Sequence, residues 1–167
     1  APGIGATRGF ADLSWGLFGL GALLWVLIQP SIIHRIATGP AMPDRMKPTL
    51  VILLAPPAVG AVALANLTGG FGAGPTAIWG LAAFFAVVLL TLFPLLRRIP
   101  FAMSWWGTTF PSAAFAVATI GFTHAHPSLG ATVASWVVLA TATVIVARVS
   151  AMTLKAAASG HLLMPEG

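Results

Sequence analysis

A chain of 167 residues in which 58% are hydrophobic and only 7% are charged cannot form the surface of a water-soluble protein, because such a surface needs about 25% charged residues. The lack of cysteine excludes disulfides, thiolate metal sites and a cysteine nucleophile. Eight Lys and Arg residues against three Asp and Glu give a net charge of +5. These basic residues are spread over the whole chain and form no patch that would bind nucleic acid. The composition thus excludes a soluble enzyme, a disulfide scaffold and a disordered tail, and it predicts a single transmembrane domain over residues 1–167.

The apolar segments predict five α-helices that cross the lipid bilayer. Each segment is continuous over about 20 residues, whereas the strands of a membrane β-barrel alternate in hydrophobicity over about ten residues. Gln29-Pro30 marks a weak point at the end of the first helix, and an extension of that helix to Ile36 stays open. The predicted spans are about 13–28, 48–67, 75–96, 101–122 and 129–149.

The basic residues predict the orientation of these helices. Only Arg8 precedes the first helix, and the other seven cations follow the first, third or fifth helix. The positive-inside rule places those segments and the C-terminus in the cytoplasm of an inner (plasma) membrane protein, and the start of the first helix outside. The seven cations are Arg35, Arg45, Lys47, Arg97, Arg98, Arg148 and Lys155.

An outside start requires a signal peptide or earlier membrane spans. Residues 1–12 form neither a signal peptide nor a helix. This pattern indicates the C-terminal half of a longer protein, so the missing N-terminal half becomes an expected partner. The alternative is a complete five-span protein whose N-terminus crosses the membrane unaided.

Prolines interrupt the second and fourth predicted helices. Pro56 and Pro57 lie about eight residues into the second helix, and Pro111 lies at the midpoint of the fourth. A proline inside a helix removes a hydrogen bond and clashes with the preceding turn. We therefore predict helix kinks at these three residues. Since freed carbonyls need partners, these two helices are predicted to lie inside the bundle and the other three outside.

A stripe of hydroxyl groups meets the proline of the fourth helix. Ser104, Thr108 and Ser112 recur at i, i+4 and i+8 on one helix face. A polar stripe that meets a helix break at mid-membrane is typical of a solute path, which predicts these residues as pore-lining. The alternative is that the hydroxyls bond carbonyls of their own helix or join helices together.

No catalytic residue, metal site or cofactor is predicted. The chain lacks paired carboxylates, a Ser-His-Asp arrangement and any acid or lysine at mid-membrane depth. His34 and the pair His124 and His126 belong to opposite ends of the predicted bundle, which disfavours a haem, and two histidines alone make no metal site. A path that offers hydroxyls and flanking cations but no carboxylates favours anions over cations.

Two segments resemble a known family, the tellurite-resistance/dicarboxylate transporters. Residues 47–57, KPTLVILLAPP, resemble its seventh helix, and residues 101–111, FAMSWWGTTFP, resemble its ninth. The family includes bacterial TehA-type channels, plant slow anion channels, and fungal malate and sulfite transporters. The resemblance implies a ten-helix fold of five hairpins, of which this all-α chain supplies helices six to ten. It also implies a homotrimer with one pore per protomer, lined by the inner helix of each hairpin.

The resemblance further implies a role for Phe110. In that family a phenylalanine beside the proline of the ninth helix plugs the pore, and Phe110 is the matching residue. The alternative is a core or lipid-facing aromatic. We expect a channel or transporter that moves small inorganic or organic anions. Two rivals stay open: a proton-coupled dicarboxylate or sulfite carrier on the same fold, and a non-transporting five-span accessory subunit.

Overall fold

The computed structural model describes residues 8–159, and the described part of the chain contains helices and no strands. Residues 1–7 and 160–167, which complete the predicted domain, lie outside the described residues. Five α-helices alternate with two segments of 3₁₀ helix. In chain order the elements are α1 (Arg8–Thr38), η1 (Asp44–Leu54), α2 (Ala55–Thr68), α3 (Ala73–Leu96), η2 (Met103–Thr108), α4 (Thr109–Ala125) and α5 (Leu129–Ala158).

The helices are those of a membrane protein, which confirms the predicted fold class. Four segments are long and apolar enough to cross a bilayer: Phe10–Thr38, Asp44–Thr68, Ala73–Leu96 and Leu129–Ala158. The segment predicted at 101–122 is not among them. Here α4 alone has 17 residues, and the preceding η2 carries hydroxyl groups and indoles. Residues 8–159 thus contain five α-helices, and the span that includes α4 is not among the four that are long and apolar enough to cross a bilayer.

The first helix is longer than the span of about 13–28 and includes the extension to Ile36 that the sequence left open. Helix α1 continues through Pro30 and ends at Thr38, so Gln29-Pro30 does not terminate it. A proline within a membrane helix is tolerated where neighbouring groups satisfy the freed backbone. The side chain of Gln29 is buried and points at the next element. The predicted weak point is therefore an internal contact of a continuous helix.

The second and fourth predicted helices each consist of two helix types. The span predicted at 48–67 is η1 followed by α2, and the span predicted at 101–122 is η2 followed by α4. Pro56 and Pro57 lie in the first turn of α2, and Pro111 lies in the first turn of α4. A first turn tolerates proline better than a helix interior, because fewer of its N–H groups have an α-helical partner.

Helices α2 and α4 form the centre of the bundle. Helix α2 packs on α1, α3 and α4, and α4 packs on α2, α3 and α5. The contacts between helices are made largely by small side chains, which allow the close approach typical of membrane helices. Ala58, Ala61, Ala82 and Ala118 are fully buried, and Phe115 is the large aromatic in the core. By contrast, α1, α3 and α5 expose most of their apolar side chains.

The turn between α2 and α3 lies at the end of the bundle opposite to η1 and η2. Gly69 caps α2 in the left-handed conformation with φ of 82°, which glycine adopts without a steric cost. Phe71 follows and packs its ring directly on Gly121 of α4. His126, just after α4, lies 3.2 Å from the Phe71 carbonyl oxygen and 3.2 Å from the Thr76 hydroxyl. These contacts bring the α2–α3 and α4–α5 loops together.

Candidate functional site

The two 3₁₀ segments that lead into α2 and α4 lie side by side, because η1 packs on η2. A Cβ atom on Gly107 would lie 3.5 Å from the Cα atom of Thr49, so the two backbones nearly touch there. The Ser104 hydroxyl donates a hydrogen bond to the carbonyl of Arg45, which joins the same two segments. The prolines that are predicted to kink two separate helices therefore lie just after two 3₁₀ segments that contact each other.

The α2 junction depends on a residue of α1. The carbonyl of Leu53 would receive the N–H of residue 56 in a 3₁₀ helix or of residue 57 in an α-helix, and both positions are proline. The Gln29 side-chain amide takes their place and donates to that carbonyl across 3.4 Å. The indole N–H of Trp25 donates in turn to the Gln29 side-chain oxygen. Gln29 was not predicted as a site residue, although a lone amide in an apolar helix is a visible signal.

The α4 junction presents Phe110 on an open face of the bundle. Pro111 is fully buried, yet the Phe110 side chain beside it is 62% exposed. Just before it, the indole N–H of Trp106 donates to the Thr153 hydroxyl of α5 across 3.0 Å. The junction is thus held to α5 on one side, while the aromatic ring of Phe110 is largely exposed.

The predicted hydroxyl stripe is occupied by hydrogen bonds to the backbone. The Thr108 hydroxyl donates to the carbonyl of Trp105, and the Ser112 hydroxyl donates to that of Thr108, each across 2.7 Å. The Ser104 hydroxyl donates to η1, as described above. Thr108 is 3% exposed and Ser112 is 9% exposed. In this structure the hydroxyl hydrogens serve the helix junction, which is the alternative that the spacing had left open.

The structure does not bring the hydroxyl stripe and Phe110 to the same face. Residues two positions apart on an α-helix lie about 200° apart around its axis. Phe110 therefore points away from Thr108 and Ser112, which agrees with its exposure and their burial. The open face of η2 and α4 instead carries Met103, Trp106, Phe110, Ala113 and Val117.

The prolines of α2 also differ from one another. Pro57 is fully buried, whereas Pro56 lines a groove of about 610 Å³ between α1 and α2. Val59 and Ala63 continue the same wall of the groove, and the Trp25 ring forms part of the opposite wall. The face of α2 that carries Pro56 thus opens towards α1, while Pro57 belongs to the packed interior.

His126 serves the structure at the end of the bundle opposite to η1 and η2. His126 bonds to the α2–α3 loop and its ring lies 4.9 Å from that of Phe122. Phe122 stacks on Trp79 at 3.8 Å between ring centroids, and the Trp79 indole donates to the buried Thr119 hydroxyl. Among residues 8–159, no three His, Cys, Asp or Glu side chains come together as a metal site.

Comparison with known proteins identifies the family. The family model described as SLAC1, voltage-dependent anion channel, matches residues 2–154. The S-type anion channel SLAH3 of Arabidopsis thaliana is 27% identical over 143 residues, which cover 86% of this chain and 22% of that protein. The S-type anion channel SLAH4 of the same plant is 26% identical over 165 residues, covering 95% of this chain and 45% of the relative.

A bacterial relative matches as well. The tellurite resistance protein TehA homolog of Haemophilus influenzae is 25% identical over 133 residues, covering 79% of this chain and 40% of its own length. The chain thus spans less than half the length of these relatives. The resemblance drawn from residues 47–57 and 101–111 is confirmed, because the family match covers nearly the whole chain. This multi-pass membrane chain belongs to the SLAC1 family of voltage-dependent anion channels.

Proposed function

We propose that the chain forms part of the conduction path of an anion channel or transporter in the inner (plasma) membrane, and that it catalyses no reaction. Its curated relatives are named as S-type anion channels and as a tellurite resistance protein. Since the chain covers less than half of each, an N-terminal half of the same protein supplies the rest of the path. We further propose a homotrimer with a cytoplasmic C-terminus.

One observation carries the proposal that Phe110 is the gate. A large aromatic side chain stands 62% exposed on a helix of the bundle centre, next to a fully buried proline. Phe115, five residues further along α4, is 8% exposed and belongs to the core. Phe110 can therefore change rotamer at modest cost, whereas Phe115 cannot move without opening a cavity. A residue with this freedom, facing an open side, is suited to block a narrow path and swing aside.

The hydroxyl residues enter the proposal in a narrower role. Ser104, Thr108 and Ser112 form the wall behind Phe110, and they act on the path by holding the junction of η2 and α4 in place. Their hydroxyl hydrogens already bond backbone carbonyls, so the passing anion does not depend on them as donors. The junctions at Pro56, Pro57 and Pro111 give the path its shape.

The charge distribution supports an anion as the solute. The acids among residues 8–159 are Asp12, near the start of α1, and Asp44, which forms an ion pair with Lys47 at the start of η1. Neither lies in the central part of a span. The segment that approaches η2 carries Arg97 and Arg98 directly after α3. A path without buried carboxylates and with cations at its end attracts anions and does not trap cations.

The test is anion flux into liposomes that contain the protein expressed from its complete gene. Phe110→Ala should raise chloride or nitrate flux strongly over the unchanged protein. Val117→Ala, on the same open face two turns further along α4, serves as the matched control and should leave the flux unchanged. Equal flux in Phe110→Ala and the unchanged protein would remove Phe110 from the gate. Flux that saturates and follows the pH gradient steeply would indicate the carrier, and no flux in any variant would indicate the accessory subunit.

A further inference from the structure

A second groove, separate from the open face of α4, runs along the surface of α1. It has a volume of about 460 Å³ and lies between the second half of α1 and the 3₁₀ helix η1. Its walls are apolar, with Leu27, Ile28 and Ile32 on one side and Leu50 on the other. The three α1 side chains belong to a helix that is largely exposed, so the groove faces the surroundings of the bundle.

One charged group stands at the end of this groove. Arg35 lines it and lies in the last turn of α1. The other polar groups of the lining are already engaged: the Ser31 hydroxyl donates to the Leu27 carbonyl across 3.1 Å, and the Thr49 hydroxyl donates to the Met46 carbonyl across 2.7 Å. No acidic residue lines the groove. The ligand that complements it is therefore a long apolar group with an anionic end.

We propose that this groove binds an anionic phospholipid, with its phosphate on Arg35 and an acyl chain along Ile32, Ile28 and Leu27. The nine residues from Leu27 to Arg35 span about 12 Å between the first and last Cα atoms of the helix segment, which matches the upper part of an acyl chain. A guanidinium group pairs with phosphate through two parallel hydrogen bonds. Basic residues beside apolar grooves at the membrane surface are a recurrent means of holding anionic headgroups.

The position of Arg35 in the bundle favours a lipid over a protein segment in this groove. The start of η1 adds Arg45 and Lys47 close in sequence to the end of α1, so this end of the bundle is basic and lies at headgroup depth. A helix laid over the groove would bury the guanidinium without a partner from the lining, which is costly in a membrane. A phospholipid covers the same apolar walls and also supplies the negative charge.

Native mass spectrometry can test this site on the protein from its complete gene, delipidated in mild detergent. Phosphatidylglycerol and phosphatidylcholine of equal chain length are added in equal amounts. The unchanged protein should retain phosphatidylglycerol preferentially. Arg35→Gln should weaken that retention roughly ten-fold, as expected when a charge-assisted hydrogen bond is lost. Arg98→Gln, a cation outside the groove lining, is the matched control and should retain the lipid as before.

A second variant tests the groove independently of the charge. Ile32→Trp fills the groove and keeps Arg35, so it should lower the retention of both lipids. A melting curve for each variant shows whether the fold is kept, and Arg35→Lys should retain more phosphatidylglycerol than Arg35→Gln because it keeps the positive charge. Equal retention of the two lipids, or retention that neither Arg35→Gln nor Ile32→Trp alters, would overturn the proposal. Absence of any retained lipid would mean that another segment of the protein fills the groove.

Discussion

The side-chain amide of Gln29 donates to the backbone carbonyl of Leu53 across 3.4 Å, and it thereby replaces the helical N–H groups that Pro56 and Pro57 lack. Trp25 in turn donates to Gln29, so the arrangement links an outer helix to the junction of a central one. An unpaired carbonyl in a membrane interior costs several kcal/mol, on the order of a lost hydrogen bond in an apolar medium. The contact explains why a polar residue is buried in an otherwise apolar helix.

This contact predicts a coupling between Gln29 and Pro57. Gln29→Leu should lower the free energy of unfolding by about 1–3 kcal/mol, because the Leu53 carbonyl stays buried without a donor. In a Pro57→Ala background the new N–H of residue 57 can bond that carbonyl, so the same Gln29→Leu change should cost much less. Thermal unfolding of the four proteins of this double-mutant cycle measures the coupling.

The control for the cycle is Asn66→Leu, which removes an exposed amide from α2 and should change stability little. Anion flux adds a second measurement on the prolines themselves. The double substitution Pro56→Ala with Pro57→Ala restores the backbone N–H groups of residues 56 and 57, which can then form regular helical hydrogen bonds and straighten the junction. It should therefore keep the stability of the protein while reducing anion flux. Additive effects of Gln29→Leu and Pro57→Ala would show that the two residues act separately.

The contact between Phe71 and Gly121 predicts a second coupled pair. A Cβ atom on Gly121 would overlap the Phe71 ring, so Gly121→Ala should destabilise the protein by about 1–3 kcal/mol through overpacking. The loss should largely disappear when Phe71→Leu is already present. Gly80 lies within α3 with open space around it, and Gly80→Ala should be neutral or stabilising by up to about 1 kcal/mol. The unfolding temperatures of the Gly121→Ala and Gly80→Ala proteins test this difference. An equal effect of alanine at both glycines would contradict the packing of Phe71 on Gly121.

The basic residues predict which ends of the helices face the cytoplasm. Gly70→Cys, in the α2–α3 turn, should react with a membrane-impermeant maleimide in intact cells. Arg98→Cys, after α3, should react only once the membrane is made permeable. The protein without either substitution gives the background. A reporter fused after Gly167, which lies outside the described residues, should read cytoplasmic. Labelling of the two cysteines in the reverse order would invert the orientation.

Much of this fold follows from the apolar runs of the sequence, because a bilayer requires long continuous helices. The apolar runs leave the extent of α1 undecided, because Gln29-Pro30 resembles a helix end in the sequence. Only the distant Leu53 carbonyl makes it an internal contact. The 3₁₀ segments could not be predicted either, because the sequences KPTLVILLAPP and FAMSWWGTTFP are compatible with both a 3₁₀ helix and an α-helix. The change of type occurs after Leu54 and after Thr108, and the two 3₁₀ segments contact each other at Thr49 and Gly107.

The candidate site could be predicted in part. The prolines and Phe110 stand out as residues of unusual position, and the family resemblance of their motifs is confirmed by the family match. The spacing of Ser104, Thr108 and Ser112 predicts one face of an α-helix, but it cannot show that Ser104 lies in a 3₁₀ helix or whether that face is open or packed. That depends on how η2 and α4 lie against η1 and α2, which is a property of the assembled bundle. The spacing therefore left two interpretations, and burial of Thr108 and Ser112 favours the one in which hydroxyls serve the backbone.

The central claim is that the ring of Phe110 blocks the anion path by its size. The most direct measurement is anion flux through a series of side chains at this position, Phe110→Trp, Phe110→Leu and Phe110→Ala, with the unfolding temperature recorded for each protein. Steric occlusion predicts flux that rises as the side chain shrinks, with Ala above Leu and Leu above Phe, and with little loss of stability because the ring is 62% exposed. Phe115→Ala should show the opposite, a loss of about 3–5 kcal/mol of stability without a gain in flux. Flux that stays flat across the series while stability falls with side-chain volume would contradict the claim and make Phe110 a packing residue.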